Sequence, residues 1–171
     1  GSSEIHFFND RPGINNYKKG LDWYKQYFKD VKSNQIAGEK TPRYSELYVP
    51  KRMYESLPDV KLIWVFRNPV QRAYSHYKMY VWGGNEKCNF EDALKNEKER
   101  VQNVHPMYNY REFGLYSKFV KEYLKYYPIE QMHFVVFEEL IDTPLQTVRK
   151  ICEFLNIKPL DYIKPEHKLS A

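Results

Sequence analysis

The sequence has 171 residues, of which 42% are hydrophobic, 29% charged and 17% aromatic, with a formal net charge of +5. That length fits one domain able to bury about two-thirds or more of its extended-chain surface, and no stretch approaches the roughly 20 apolar residues of a membrane span. The basic balance favours an anionic partner: nucleic acid, an anionic membrane, a phosphorylated cofactor or an acidic polysaccharide.

Cys88 and Cys152 lie far apart and give neither a zinc spacing nor a disulfide framework, so both read as buried free thiols. Gly1-Ser2-Ser3 reads as a non-native leader, which leaves the compartment unspecified from this end. The 16 tyrosines suit polar-ligand or sugar clefts as well as cores.

From Lys19 to Phe28, Leu21, Tyr24, Tyr27 and Phe28 fall on one face and predict an amphipathic helix. Gln35 to Glu39 is a short strand candidate ending in the polar turn Lys40-Thr41-Pro42, and Pro50 opens a helix that Pro58 closes. Val60 to Phe66 is a nearly continuous apolar, β-branched run, as expected for a buried parallel strand. Arg67 follows it. Asn68 is an N-cap, Pro69 takes the first helical position, and Val70, Ala73, Tyr74, Tyr77 and Val81 recur at helical spacing.

Gly83-Gly84-Asn85 breaks the chain, and Phe90 to about Gln102 reads as one charged helix followed by a loop through Tyr110. Leu115 to Tyr127 predicts a helix with Lys118, Lys121 and Lys125 on a solvated face. His133 to Phe137 is a second buried strand ended by Glu138-Glu139, and Thr143-Pro144 opens a helix through Leu155. Strands alternating with helices predict an α/β fold with a central parallel sheet covered on both faces, a three-layer sandwich.

In open parallel sheets, ligands bind at the carboxyl ends of strands, which selects Lys40, Arg67 and Glu138. Arg67 beside the start of the helix at Pro69 suits a phosphate, and Ser75, two turns into that helix, offers a second donor. The structural alternative is an Arg67 paired with a carboxylate and a merely solvated Ser75. Neither a GxxxxGK[ST] nor a GxGxxG loop occurs, no HxxxH or Cys/His cluster supports a metal, and no Gly-x-Ser-x-Gly elbow supports a hydrolase.

Glu4-Ile5-His6-Phe7-Phe8, Lys19 to Tyr24 and Glu39-Lys40-Thr41-Pro42-Arg43-Tyr44 resemble three successive blocks of the heparan sulfate N- and 3-O-sulfotransferases. Lys61 to Tyr77, with Arg67-Asn68-Pro69 and Ser75, resembles that family's 3′-phosphate-binding element. Gly114-Leu115-Tyr116, Phe137-Glu138-Glu139-Leu140 and Phe154-Leu155 are similar to the general sulfotransferase pattern.

The resemblance implies a P-loop-kinase-like sulfotransferase fold over residues 1–171 as one partial domain, using 3′-phosphoadenosine 5′-phosphosulfate (PAPS) and no metal. It implies Arg67 and Ser75 on the 3′-phosphate, Glu4 as catalytic base, His6 and Lys40 on the substrate side, and a hydroxyl or amine acceptor on a carbohydrate. The family's first strand and 5′-phosphosulfate loop would lie upstream of Glu4, and its C-terminal loop is not recognisable in Pro165 to Ala171. The chain thus reads as a fragment, cytoplasmic if bacterial and in the Golgi lumen if animal.

A different class is a noncatalytic glycan- or nucleotide-binding remnant that kept only the 3′-phosphate site. A nucleic-acid-binding domain rests on the charge and the aromatic content alone, and those aromatics sit mostly at core periodicity, so no nucleic-acid partner is expected.

Overall fold

The computed structural model describes residues 4–10, 13, 15–159 and 161. They separate into two compact units, one formed by residues up to Val60 with Lys118–Gln131, the other by Lys61–Ser117 with residues from Met132 onward. The last part of the expected C-terminal loop, Pro165 to Ala171, lies outside the described residues.

In the first unit, helices α1 (Leu21–Lys25) and α2 (Val49–Ser56) are joined by 3-10 turns and extended chain, and most of α6 (Tyr116–Tyr123) belongs here. Its core is aromatic. Phe7 and Phe8 are buried, Phe7 stacks on Tyr24 at 4.7 Å, and Phe8 meets the same ring edge-on at 5.3 Å. The tyrosine hydroxyls satisfy backbone carbonyls that packing has removed from water: Tyr123 donates to the Tyr44 carbonyl at 2.6 Å and Tyr127 to that of Leu57 at 3.1 Å. Arg52 grips the Asp10 carboxylate with two bonds of 3.1 Å and so fixes the chain after Phe8.

The expected helix from Lys19 to Phe28 is shorter. Lys19 ends a preceding 3-10 turn, Gly20 adopts φ +80°, and the α-helix tightens to 3-10 at Gln26–Phe28, leaving Tyr27 55% exposed. The strand expected at residues 35–39 does not form. Only Ile36 and Ala37 are apolar there, Ile36 is exposed, and no neighbouring strand among the described residues supplies the ladder that extended backbone requires. Helix α6 ends at Tyr123 rather than Tyr127, with Leu124 to Tyr127 turning back through bonds from Lys125 and Tyr126 to carbonyls three residues earlier. Lys118, Lys121 and Lys125 are exposed as expected.

The second unit holds the sheet of the described residues, strands β1 (Leu62–Phe66) and β2 (Met132–Val136) paired in parallel with Leu62 opposite Met132 and Phe66 opposite Val136. Helix α3 (Pro69–Trp82) follows β1 after the capping residue Asn68, whose side chain accepts from the N–H groups of Val70 and Gln71. Helices α7 (Phe137–Asp142) and α8 (Pro144–Leu155) follow β2, so Glu138-Glu139 opens a helix rather than merely ending a strand.

The cover over the two strands is uneven. Val135 is buried and His133 stacks on Phe154 of α8 at 5.1 Å, yet Ile63 and Val65 of β1 remain 41% and 51% exposed. Both strands were expected to be buried throughout. Two paired strands leave apolar side chains on their faces uncovered, whatever their composition.

The expected helix from Phe90 to Gln102 is two, α4 (Phe90–Lys95) and α5 (Glu97–Asn103), because Asn96 leaves helical geometry and serves as the end of one and the start of the other. Glu97 accepts from the backbone N–H and the guanidinium of Arg111, each at 3.0 Å. Both cysteines are free, Cys152 buried and Cys88 half-buried. No described helix is long and apolar enough to cross a membrane.

Candidate active site

Arg67 stands one residue past the end of β1, and Phe137 stands one residue past the end of β2. Because Phe66 pairs with Val136, the register sets the next two side chains beside each other, and the Arg67 guanidinium lies 5.1 Å from the Phe137 ring centre. The backbone of Arg67 is clamped by Tyr116, whose hydroxyl donates to the Arg67 carbonyl at 2.9 Å and accepts from its N–H at 3.4 Å. The Tyr116 ring stacks on Phe66 at 4.6 Å. Gly114 makes this approach feasible, since a Cβ on it would meet Pro69 Cβ at 3.0 Å.

Among the described residues, the Arg67 guanidinium forms no ion pair with a carboxylate, and its buried Nε has no hydrogen-bond acceptor. Glu138, the nearby acid, is engaged elsewhere. It accepts the Asn68 N–H at 3.1 Å, and that bond, its own N–H and the neighbouring Arg67 charge hold its carboxyl below the usual range. Among the described residues, the alternative in which Arg67 is one half of an internal ion pair finds no carboxylate bonded to it. Ser75 is exposed on α3 with Gln71, as expected, and its hydroxyl bonds to no protein group among the described residues.

Two groups nearby were not foreseen. Arg72 of α3 is half-buried, donates to the Tyr110 carbonyl and leaves its Nε without a partner; burial holds its guanidinium below its ordinary value. His76 is buried against Tyr80 and Tyr110 with both ring nitrogens unpartnered. Their helical spacing was legible, but their burial depends on the chain that returns at Tyr110.

The remaining expected site residues belong to the first unit. Glu4 and His6 meet, Oε2 to Nε2, at 3.0 Å, and the other ring nitrogen of His6 bonds the Asn9 Oδ1 at 3.0 Å. The Asn9 Nδ2 donates to the Asp10 carbonyl at 3.3 Å, which orients the amide with its oxygen toward His6. An amide oxygen only accepts, so in this contact His6 Nδ1 is the donor. His6 is buried and adopts φ +51°, an uncommon conformation for a residue with a Cβ. Glu4 keeps 38% of its side chain exposed and accessible to a substrate.

Lys40 is exposed with no ion pair among the described residues, and its backbone is held from both sides. The Glu39 carboxylate before it accepts from Tyr24 and Tyr44, each at 2.6 Å, and from Thr41 at 2.8 Å. Burial first, and then this carboxylate, push the Tyr24 and Tyr44 hydroxyls well above the ordinary tyrosine range, so both act as donors. Tyr44 also accepts the Phe7 N–H at 2.9 Å and thereby ties the Glu4–His6 segment to the Glu39–Lys40 segment. These tyrosines were missed as site residues, though Tyr44 lay inside the third block quoted above. Among the described residues, no group of three or more His, Cys, Asp or Glu side chains is placed to hold a metal ion.

The sulfotransferase domain model matches residues 3–168. The chain is 36% identical over 163 residues to heparan sulfate glucosamine 3-O-sulfotransferase 5 of Mus musculus, covering 92% of this chain and 46% of that protein. It is 34% identical over 157 residues to heparan sulfate glucosamine 3-O-sulfotransferase 3B1 of the same species, covering 91% and 39%. The chain thus spans less than half the length of these relatives. A crystal structure of a sulfotransferase from Alicyclobacillus acidocaldarius superposes with a TM-score of 0.82 at 33% identity, covering 97% of this chain and 74% of that one. With a parallel sheet whose strand ends carry an unpaired arginine, and a family match over nearly its whole length, the chain belongs to the sulfotransferase domain family.

Proposed function

We propose that the protein is a PAPS-dependent sulfotransferase that acts on a hydroxyl or amine of a carbohydrate. The observation that carries this is the Arg67 guanidinium, which stands at a strand end, clamped through its backbone and stacked on Phe137, with no ion-paired carboxylate among the described residues. A phosphate supplies the acceptor that its buried Nε lacks, and the planar fork suits two bonds to one phosphate. The free hydroxyl of Ser75 adds a neutral donor, and the acid at this end, Glu138, is already held by Asn68.

PAPS, when bound, supplies the sulfuryl group that passes to the acceptor. Glu4 takes the proton that the acceptor loses as its oxygen or nitrogen bonds to sulfur. His6, held by Asn9, keeps the Glu4 carboxylate in one orientation. Lys40, on backbone fixed by the Glu39 cluster, would stand on the substrate side and offer positive charge to an anionic acceptor. A carbohydrate acceptor is supported by the relatives whose names specify heparan sulfate glucosamine.

Calorimetric titration with 3′-phosphoadenosine 5′-phosphate and with adenosine 5′-phosphate tests the assignment, because only the first carries the group that Arg67 would hold. Wild type is expected to prefer the first strongly. Arg67→Ala is expected to lose most of that preference, about 10- to 150-fold in dissociation constant. Arg67→Lys is expected to recover part of it, having charge without the fork. An unchanged preference in Arg67→Ala would overturn the assignment.

A further inference from the structure

Residues 5–10 form neither helix nor strand, yet side chains of the same compact unit bond their backbone at four points. Asn16 donates to the Ile5 carbonyl at 2.9 Å and Arg52 to the Phe8 carbonyl at 3.3 Å. The N–H groups of Phe7 and Asp10 donate to the hydroxyls of Tyr44 and Tyr48, each at 2.9 Å. In a strand such groups would meet a neighbouring backbone. Here each meets a side chain.

The two tyrosines repeat one device. Tyr44 gives its own proton to Glu39 at 2.6 Å, and Tyr48 gives its own to Glu46 at 2.5 Å, so each hydroxyl is left to accept from the backbone N–H. A charged acceptor polarises the hydroxyl and strengthens the bond it accepts from the amide behind it. Each carboxylate is fixed in turn, Glu39 by Tyr24 and Thr41 and Glu46 by Arg43. Tyr123 donates to the Tyr44 carbonyl at 2.6 Å, and the Arg52 guanidinium lies 4.8 Å from the Tyr48 ring centre.

The device brackets an unfavourable stretch of backbone. His6 is buried at φ +51°, and a residue with a Cβ keeps that conformation only where its surroundings over-determine it. Asn16 takes hold one residue before His6 and Tyr44 one residue after it. Ring packing alone does not supply this, because the Tyr44 ring meets Phe8 edge-on at 5.5 Å, a contact that phenylalanine would make equally well. The hydroxyls add the placement of the backbone that carries Glu4 and His6.

We propose that Tyr44 and Tyr48, each backed by its glutamate, are positioning residues of the sulfotransfer reaction and hold the Glu4–His6 pair in the geometry from which Glu4 takes the proton of the acceptor. The proposal rests on the reading of Glu4 as base and adds the residues that keep it aimed. Tyr44 acts through the amide next to His6, and Tyr48 through the more distant Asp10, so the first carries the larger share.

Transfer of label from radiolabelled PAPS to an oligosaccharide of alternating glucuronate and N-sulfoglucosamine by the full-length protein tests it, with calorimetric titration of 3′-phosphoadenosine 5′-phosphate counting the competent molecules. Tyr44→Phe is expected to lower turnover per nucleotide-binding molecule about tenfold and Tyr48→Phe about threefold, with nucleotide affinity within about twofold of wild type. In a Glu4→Gln background Tyr44→Phe is expected to have little further effect, because aim no longer matters once the base is gone. An equal loss in both backgrounds, or unchanged turnover in Tyr44→Phe while Glu4→Gln is crippled, would overturn the positioning role and leave Glu4 as base. Near-normal turnover in Glu4→Gln would overturn the base assignment and the positioning with it. Hydrogen exchange at the Phe7 amide, read by NMR, needs no acceptor and is expected to be slow in wild type and at least about tenfold faster in Tyr44→Phe. Fast exchange in wild type would overturn the proposal whatever the turnover. Slow exchange that Tyr44→Phe releases, in a wild type that leaves this glycan unlabelled, would uphold the hold on the segment and overturn the carbohydrate acceptor.

Discussion

The hydroxyl of Tyr116 bonds the backbone of Arg67 twice, donating to its carbonyl at 2.9 Å and accepting from its N–H at 3.4 Å. A strand end ordinarily frees its last backbone groups, and this single side chain occupies both of them at the residue whose guanidinium stays unpaired. The phenol ring meanwhile stacks on Phe66, so the clamp is anchored in the sheet.

Tyr116→Phe keeps the stacked ring and removes the clamp. Loss of a partly buried hydrogen bond predicts about 1 kcal/mol of destabilisation in urea unfolding. Affinity for 3′-phosphoadenosine 5′-phosphate is expected to fall about three- to tenfold, because Arg67 would be less well oriented. Destabilisation with unchanged nucleotide affinity would make the clamp structural only.

Gly114→Ala tests the same corner from the other side. The added Cβ meets Pro69 Cβ at 3.0 Å, and the proline ring at the start of α3 has no rotamer with which to yield. The expected cost is about 1–3 kcal/mol of stability, with weaker nucleotide binding as Arg67 and Asn68 shift. A variant as stable as wild type would show that α3 can move without penalty.

Glu4→Gln preserves size and the contact with His6 but cannot take a proton from an acceptor. Turnover is expected to fall by about two to four orders of magnitude, the range for loss of a positioned general base, with little change in nucleotide affinity. Near-normal turnover would transfer the base role to another residue.

Acid should destabilise the second unit in two steps. Burial, and then the Arg72 charge, push His76 down from 6.5 to about 4. The unfolded chain therefore binds the extra proton first, and stability falls as pH drops from 6.5 to about 4. Burial alone would raise the Glu86 carboxyl, but Arg100, the Cys88 N–H and the Tyr110 hydroxyl outweigh it and hold Glu86 at about 2. Its contribution is present above 4.5 and is lost as pH falls toward 2. Urea unfolding of wild type and His76→Phe at about pH 7, 5.5 and 4.5 checks the first step: the variant is expected to gain on wild type as pH falls. A pH-independent difference would remove His76 from the acid response.

Much of the second unit is determined locally. The apolar run of β1, the Asn68 cap, Pro69 at the first helical turn and the periodicity of α3 specify strand, turn and helix within a short stretch, because capping and side-chain periodicity act over one or two turns. That is why Arg67 and Ser75 could be named from the sequence. Their family blocks supplied Glu4, His6 and Lys40, which no local pattern would have singled out.

Tertiary structure decided what spacing does not encode. Gln35 to Glu39 has no ladder partner among the described residues, and a strand is defined by its neighbour. The Phe90 to Gln102 segment keeps its helical composition yet divides at Asn96, where Glu97 turns to the Arg111 backbone and guanidinium. Whether Arg67 would be paired or free depended on Glu138, which bonds Asn68 from 70 residues along the chain, and on the β1–β2 register that places Phe137 beside Arg67. Sequence separation carries no distance, so the chemistry of residues within a turn of each other was legible, and the partners that free or occupy a charge were settled only when the chain folded back on itself.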